Sequence, residues 1–506
     1  MTLSPFAALL LLAADPLPAG VKLAKIEAAP AAIRIADPWS YSQVVLTGTT
    51  ASGERIDVTR YAAFTAPAPV RMSGAQARPV AEGKGTLVAS VGGLKAEIPV
   101  EVAGLKKPRE ASFIRDVMPV LARLGCNQGT CHGAEAGRAG FKLSLRGYDP
   151  LFDHRALTDD LGGRRTNRAA PDQSLMLMKP SGAVPHAGGV LAQPGEPYYE
   201  ILKAWIAEGH RLDLKTPKAQ SIEVTPSHAV LGRPGDKQQL AVIAKYADGS
   251  TRDVTAEAFL ETSSAEIATV DRGAAATAVR RGEATVMVRY EGAYAATTLI
   301  VMGDREGFAW KGAEPNNWID SLVYEKLKQV KVLPSDLCSD SEFLRRAWLD
   351  LTGTLPTPEA AKAFLADKTE TKAKREKLIE SLIGSEDFIE HWTNKWADLL
   401  QVNRKWLGEP GARAFRDYIR NAVAKNTPYD KFVFNILTAS GSNVASPAAS
   451  YYKVLRTPDA VMENTTQLFL GVRFNCNKCH DHPFEKWTQD QYYQLAAYFA
   501  RVGRKE

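Results

Sequence analysis

Two short stretches hold the residues best equipped for chemistry. Cys476, Cys479 and His480 stand in "CNKCH"; Cys126, Cys131 and His132 stand in "CNQGTCH", with two more residues between the cysteines. A C-x-x-C-H run is the attachment signature of c-type haem, in which both thiols form thioethers and the next histidine ligates the iron. In the longer motif the loop has to bulge, and Gly129 is expected to supply the backbone freedom. Two covalently attached haems, with their iron, are therefore the expected cofactors. Zinc is the competing reading, because Cys476, Cys479, His480 and His482 are four zinc-donor side chains, though packed within seven residues. A redox dithiol is a third reading.

Second axial ligands have to come from elsewhere. Met176, Met178, His154 and His186 all lie downstream of His132, where a distal loop belongs. His186 is followed by two glycines in "VPHAGG", which suits a loop lying flat on a porphyrin. His482 is too close to His480 to serve the opposite side, so His391 in "EHWTNKW" is the candidate there, with an open coordination site as the alternative. Arg164, Arg165 and Arg168 in "GGRRTNR" match the geometry of haem propionates. Cys338 stands alone.

The rest of the chain must supply the elements that position these groups. Its 506 residues allow three or four domains, each with its own core. Apolar and charged contents of 45% and 24% are ordinary for a globular protein. A net charge of +6 with scattered Lys and Arg excludes nucleic acid as an expected partner. Residues 1–19 contain a short apolar run, Phe6 to Ala14, that reads as a signal peptide. No later run reaches membrane-spanning length, so an exported protein of the periplasm or cell surface is expected, with no membrane span.

An internal repeat frames the first cysteine motif. "IEAAPAAIRI" at Ile26 matches "IEVTPSHAVL" at Ile222, and Gly53/Gly249 and Asp57/Asp253 keep the same offset of 196. Short alternating runs with "SG" or "DG" between them predict a β-sandwich in each copy, 20–104 and 219–303. These copies resemble the bacterial immunoglobulin-like domains of surface proteins. Neither carries a cluster of titratable groups suited to chemistry, so both are expected to be independent scaffold modules.

Between them, 108–214 changes character. Phe113, Val117, Leu121 and Leu124 fall at helical spacing before Cys126, and Tyr199, Leu202, Trp205 and Ile206 line a closing helix. Helix, motif, long loop and closing helix are how small c-type cytochromes wrap a haem. Residues 312–506 carry helical periodicity, and a helix over "VMENTTQLFLGV" leads straight into Cys476.

"LGCNQGTCHG", "GFKLSLRGYDP" and "LKAWIAEG" resemble a planctomycete-type cytochrome c domain; "FLRRAWLDLTGTLPTPEAAKAFL" and "LFLGVRFNCNKCHDHPFEKW" resemble the uncharacterised helical domain that accompanies it. That resemblance implies His186, in "PH-x-GG", as the distal ligand of the first haem. It also implies a further C-terminal module or a partner protein supplying one. The fold class expected is multidomain α and β: two immunoglobulin-like sandwiches alternating with a small c-type cytochrome-like α domain and a larger helical domain. The function expected is electron transfer at the cell envelope to a redox partner of unknown identity, by an exported dihaem c-type cytochrome-like protein. A haem- or metal-dependent enzyme acting on envelope polysaccharide is one alternative; a surface binding protein with structural zinc or disulfides is the other.

Overall fold

The computed structural model describes residues 16–18, 20–106, 108–303, 307–312, 314–479 and 487–504. The expected signal peptide lies outside them except for 16–18. The chain forms two compact units that divide between Leu333 and Pro334.

In the first unit both repeat copies are β-sandwiches of one topology. The first copy has a sheet Leu23–Ala29, Val45–Thr50, Arg55–Asp57, and a second of Ile33–Ile35, Leu94–Val102, Gly83–Val91, Ala63–Thr65. The second copy repeats this order with Ala219–Thr225, Ala241–Tyr246, Thr251–Asp253, and with His228–Leu231, Ala293–Val301, Gly282–Tyr290, Phe259–Thr262. The alternation seen in the sequence points inward: Leu87, Ala89, Ile98 and Val100 are buried, as are Ala284, Val286, Val288 and Leu299. Gly53 and Gly249 take positive φ at the expected hairpins.

The Asp-Val-Thr of each copy does the same local work. Thr59 Oγ1 accepts from Leu46 N at 2.8 Å and Thr255 Oγ1 from Val242 N at 2.8 Å. The aspartates, however, also reach across. Asp57 accepts from Gln239 N at 2.6 Å in the second copy, and Asp253 accepts from Gln43 N at 2.5 Å in the first. Gln43 and Gln239 are themselves related by the offset of 196. The copies are thus paired by a reciprocal contact rather than standing as independent modules. Side chains that read as turn punctuation in the sequence satisfy buried amides of the other copy.

The inserted segment packs its own core of Phe113, Val117, Leu121, Leu157, Leu177, Tyr199 and Trp205. A π-helical turn, Phe113–Val117, runs into the helix Met118–Arg123; Pro150–Thr158, Leu175–Ser181 and Pro197–Ala207 complete the frame. Asp116, fully buried, receives Arg109 at 2.6 Å, Arg252 of the second sandwich at 2.7 Å and Ser112 N at 2.8 Å. Burial opposes the charge on Asp116, but the Arg109 hydrogen bonds and the charge of Arg252 outweigh it and hold its carboxyl below the usual range. The helix Trp318–Gln329 belongs to this unit, with Lys331 reaching Glu54 at 2.9 Å.

The second unit is helical. Ser339 and Glu342 cap the helix Asp340–Thr352, which ends at Gly353 with φ of 69°. Thr357 caps Pro358–Ala366 with Pro at the first turn, as its sequence predicts. The core gathers Leu407, Phe415, Ile419, Phe432, Ile436 and Tyr451 from Arg404–Ala424, Tyr429–Leu437 and Ser450–Val454. Sandwiches and a C-terminal helical region make this a multidomain protein of mixed class.

Asp116→Ala leaves Arg252 buried without its partner and should destabilise the first unit by about 3–5 kcal/mol. The check is a urea midpoint lowered at unchanged slope. Because the folded pKa lies below the ordinary value, the contribution is complete at neutral pH. The difference between variant and wild type should begin to shrink as acidification passes about pH 4 and go on shrinking as pH falls through the lower folded value.

Candidate functional site

The first motif is built from the end of the helix Met118–Arg123. Gly125, at φ of 82°, ends that helix, and Cys126 N donates to Leu121 O at 2.9 Å. The loop then closes on itself: Cys131 N donates to Gln128 O at 2.9 Å and His132 N to Cys126 O at 2.9 Å. Gly133 is the tight point, since a Cβ there would lie 2.1 Å from Asn127 O. Gly129 does not take positive φ and faces Leu145 with ordinary clearance. The extra residues are absorbed by a closed turn, and the glycines that permit it are Gly125 and Gly133.

His132 is positioned through its ring. Its Nδ1 donates to Phe141 O at 3.1 Å, the backbone of Arg138 gives the ring a second hydrogen-bonding neighbour, and the ring lies 4.5 Å from that of Phe141. Burial, with smaller contributions from the charges of His186 and Arg165, holds His132 below the usual histidine range, so the imidazole stays neutral at neutral pH. His186 is therefore a spatial neighbour of His132, although 54 residues separate them (186 − 132). Its own Nδ1 donates to Gly189 O at 2.9 Å. A Cβ on Gly188 would meet the His186 ring at 2.8 Å, so the glycine lets the ring lie on the backbone.

The other candidates are engaged elsewhere. His154 donates from Nε2 to His210 O at 2.8 Å and packs at 5.2 Å against Phe113, with Thr158 Oγ1 at its other nitrogen. Met176 is buried in the core, and Met178 is half-buried on the same helix. Arg165 is buried, bonds Ala156 O at 2.9 Å and Gly140 O at 3.3 Å, and stacks 4.2 Å over Phe141. It braces the loop rather than facing outward, while Arg164 and Arg168 are exposed.

All five cysteines are free thiols. Burial, with the neighbouring Cys131, pushes the Cys126 thiol up to about 12, which does not suit a low-pKa redox dithiol. Among the described residues no group of three or more His, Cys, Asp and Glu converges as a metal site.

The second motif comes after the helix Pro458–Leu470. Asn475–Lys478 forms a 3₁₀ turn with Cys476 and Cys479 exposed, and Lys478 pairs with Asp459 at 2.6 Å. Phe474 stacks 5.1 Å from Trp487 and joins Met462, Tyr492 and Ala496 beneath the turn. His480 and His482 lie outside the described residues. His391 rests against the terminal Gly353 and packs edge-on to Trp392 at 5.8 Å.

One pair of residues escapes motif reasoning. Asn127 and Asn477 each come directly after the first cysteine, and each is buried, at 1% and 0% exposure. Asn477 Nδ2 donates to Trp487 O at 2.5 Å, while Asn127 Nδ2 and Asn477 Oδ1 find no partner among the described residues. The shared dipeptide "CN" was the available signal.

Comparisons with known proteins are sparse. Residues 318–504 match the PSCyt2 family, described as a protein of unknown function (DUF1549). No curated protein matches the chain. Among solved structures, domains 5–6 of the S-layer protein SbsC align at 10% identity over 56% of this chain and 100% of that one, with a TM-score of 0.22. SbsC domains 4–9 align at 10% identity over 58% and 34%, with a TM-score of 0.21. Superpositions this loose carry no argument. The expected membership in a planctomycete-type cytochrome c multidomain family is corrected by the family match: it is to a family of unknown function and covers 318–504. A cysteine motif of five to seven residues between two amphipathic helices is too little sequence to define such a family.

The loop geometry separates two glycines. Gly133→Ala should cost about 1–3 kcal/mol, because backbone must move. Gly129→Ala should stay within about 0.5 kcal/mol. Denaturant titration of the two variants measures the contrast.

Proposed function

We propose that this is an exported electron-transfer protein carrying covalent haem c at both cysteine motifs. One observation carries the reading: beside two free thiols, two neighbouring imidazoles each tie Nδ1 to a backbone carbonyl. A carbonyl on Nδ1 sets the tautomer and ring orientation of a metal-ligating histidine. Cys126 and Cys131 would hold the group covalently, and His132 and His186 would be its iron-binding side chains. Cys476, Cys479 and His480 would hold the second group. Haem c, when bound, supplies a one-electron iron couple.

The protein's own groups prepare for this. The closed loop from Gly125 to Gly133 sets the cysteine spacing, Phe141 and Arg165 hold the His132 ring, and Gly188 admits the His186 ring. His391 has no part in the reading, since Gly353 and Trp392 account for its place. Export to the periplasm or cell surface is part of the proposal, supported by the apolar run at the N-terminus. Among the described residues no helix is long and apolar enough to cross a membrane.

Expression with a haem-maturation system and intact mass under denaturing conditions should show two haem additions, one of which Cys126→Ser with Cys131→Ser removes. His186→Met should keep both additions and raise one midpoint potential, since thioether ligation favours the ferrous state. Tightly bound zinc, or no covalent addition, overturns the reading.

A further inference from the structure

The junction of the two sandwiches is a buried cluster of titratable groups that the proposed function does not use. Asp253 Oδ2 accepts from Gln43 N, and its Oδ1 accepts from Thr255 N at 3.0 Å and Thr255 Oγ1 at 2.7 Å. None of these partners is a cation. Glu257, also buried, stands beside it and accepts from Tyr41 OH of the first sandwich at 2.7 Å, while Ala256 N donates to Tyr41 OH at 2.6 Å. We propose that the paired sandwiches form a proton-operated joint, closed when the Asp253 carboxyl is protonated and loosened when it ionises.

Competing effects set the sign. Two backbone amides and a hydroxyl favour the ionised form, but burial outweighs them, with the Glu257 charge adding to it, and Asp253 is pushed up to about 7. Asp57, its counterpart across the pair, is also raised by burial, against the pull of Thr59, Gln239 and the nearby Arg60. A folded pKa above the ordinary value means that the closed joint is fully favoured below about pH 4. That preference is lost as pH rises through about 7. The tyrosines facing the cluster stay neutral in this window: Tyr41 and Tyr198 are raised well above the usual tyrosine value by burial and by Glu257. Arg78 lies over the Tyr41 ring, and Arg123 is bonded to Ala258 O. Arg252 is committed to Asp116.

The joint also reaches the candidate site. Arg252 and Asp253 are adjacent, one holding Asp116 in the turn that leads to Cys126, the other holding the first sandwich. Opening at Asp253 therefore releases constraint on both neighbours.

Hydrogen exchange of the full-length protein, corrected for the intrinsic pH dependence of exchange, tests this at peptides containing Gln43 and Gln239. The opening equilibrium should rise roughly tenfold per pH unit between pH 5 and 6.5 and level off above about 7. Asp253→Asn should flatten that rise at Gln43. Glu257→Gln, which removes the neighbouring charge but keeps Asp253, should shift the levelling to lower pH and serves if Asp253→Asn does not fold. Protection of Gln43 independent of pH in the wild type, or an unchanged slope in Asp253→Asn, overturns the proposal.

Discussion

Two aspartates, Asp253 buried and Asp57 half-buried, each accept a backbone amide from the opposite sandwich and organise the first unit. Asp57 and Asp253 end short strands whose neighbours Thr59 and Thr255 already satisfy amides within their own sheets. An unpaired amide buried at such a contact would cost about 1–3 kcal/mol, so the reciprocal pairing excludes a sliding arrangement of the copies. The inserted segment leaves the first sandwich and re-enters the second within this pairing. It is anchored by the residue next to the clasp, Arg252, on Asp116.

That anchorage explains why a loop-rich segment can present ordered side chains. The π-helical turn that holds Asp116 is continuous with the helix ending at Gly125, and the closed turn of the cysteine motif comes at once after it. His132 and His186 come from separate loops, yet the Nδ1 of each bonds a backbone carbonyl. This device needs no side-chain partner. It fixes the tautomer and the orientation of the ring.

The second motif rests on different support. Its turn sits on Phe474, Trp487 and Tyr492 between the helices Pro458–Leu470 and Gln489–Ala497, and its asparagine anchors it through Trp487 O. In both motifs the residue after the first cysteine is the buried one and the cysteines are more accessible. The chain buries the polar asparagine to shape the turn, while Cys476 and Cys479 are exposed and Cys126 packs half-buried against the core.

What the sequence determined by itself is local or periodic. The repeat offset, the hairpin glycines, the inward alternation of the strands, the caps at Ser339 and Thr357, and the pairing of cysteines with a following histidine can all be read from neighbours in the chain. The inference of a cytochrome family from those motifs reached further than such short patterns allow. Tertiary structure alone decided that Asp57 and Asp253 bond across the pair, and that Gly133 rather than Gly129 closes the loop. It also separated the histidines by role, bringing His186 to His132, tying His154 to His210 O and seating His391 on Gly353. The physical reason is common to these cases. A hydrogen-bond acceptor such as a backbone carbonyl exists at every residue, so sequence names the donors but cannot say which carbonyl or amide the fold will bring within reach.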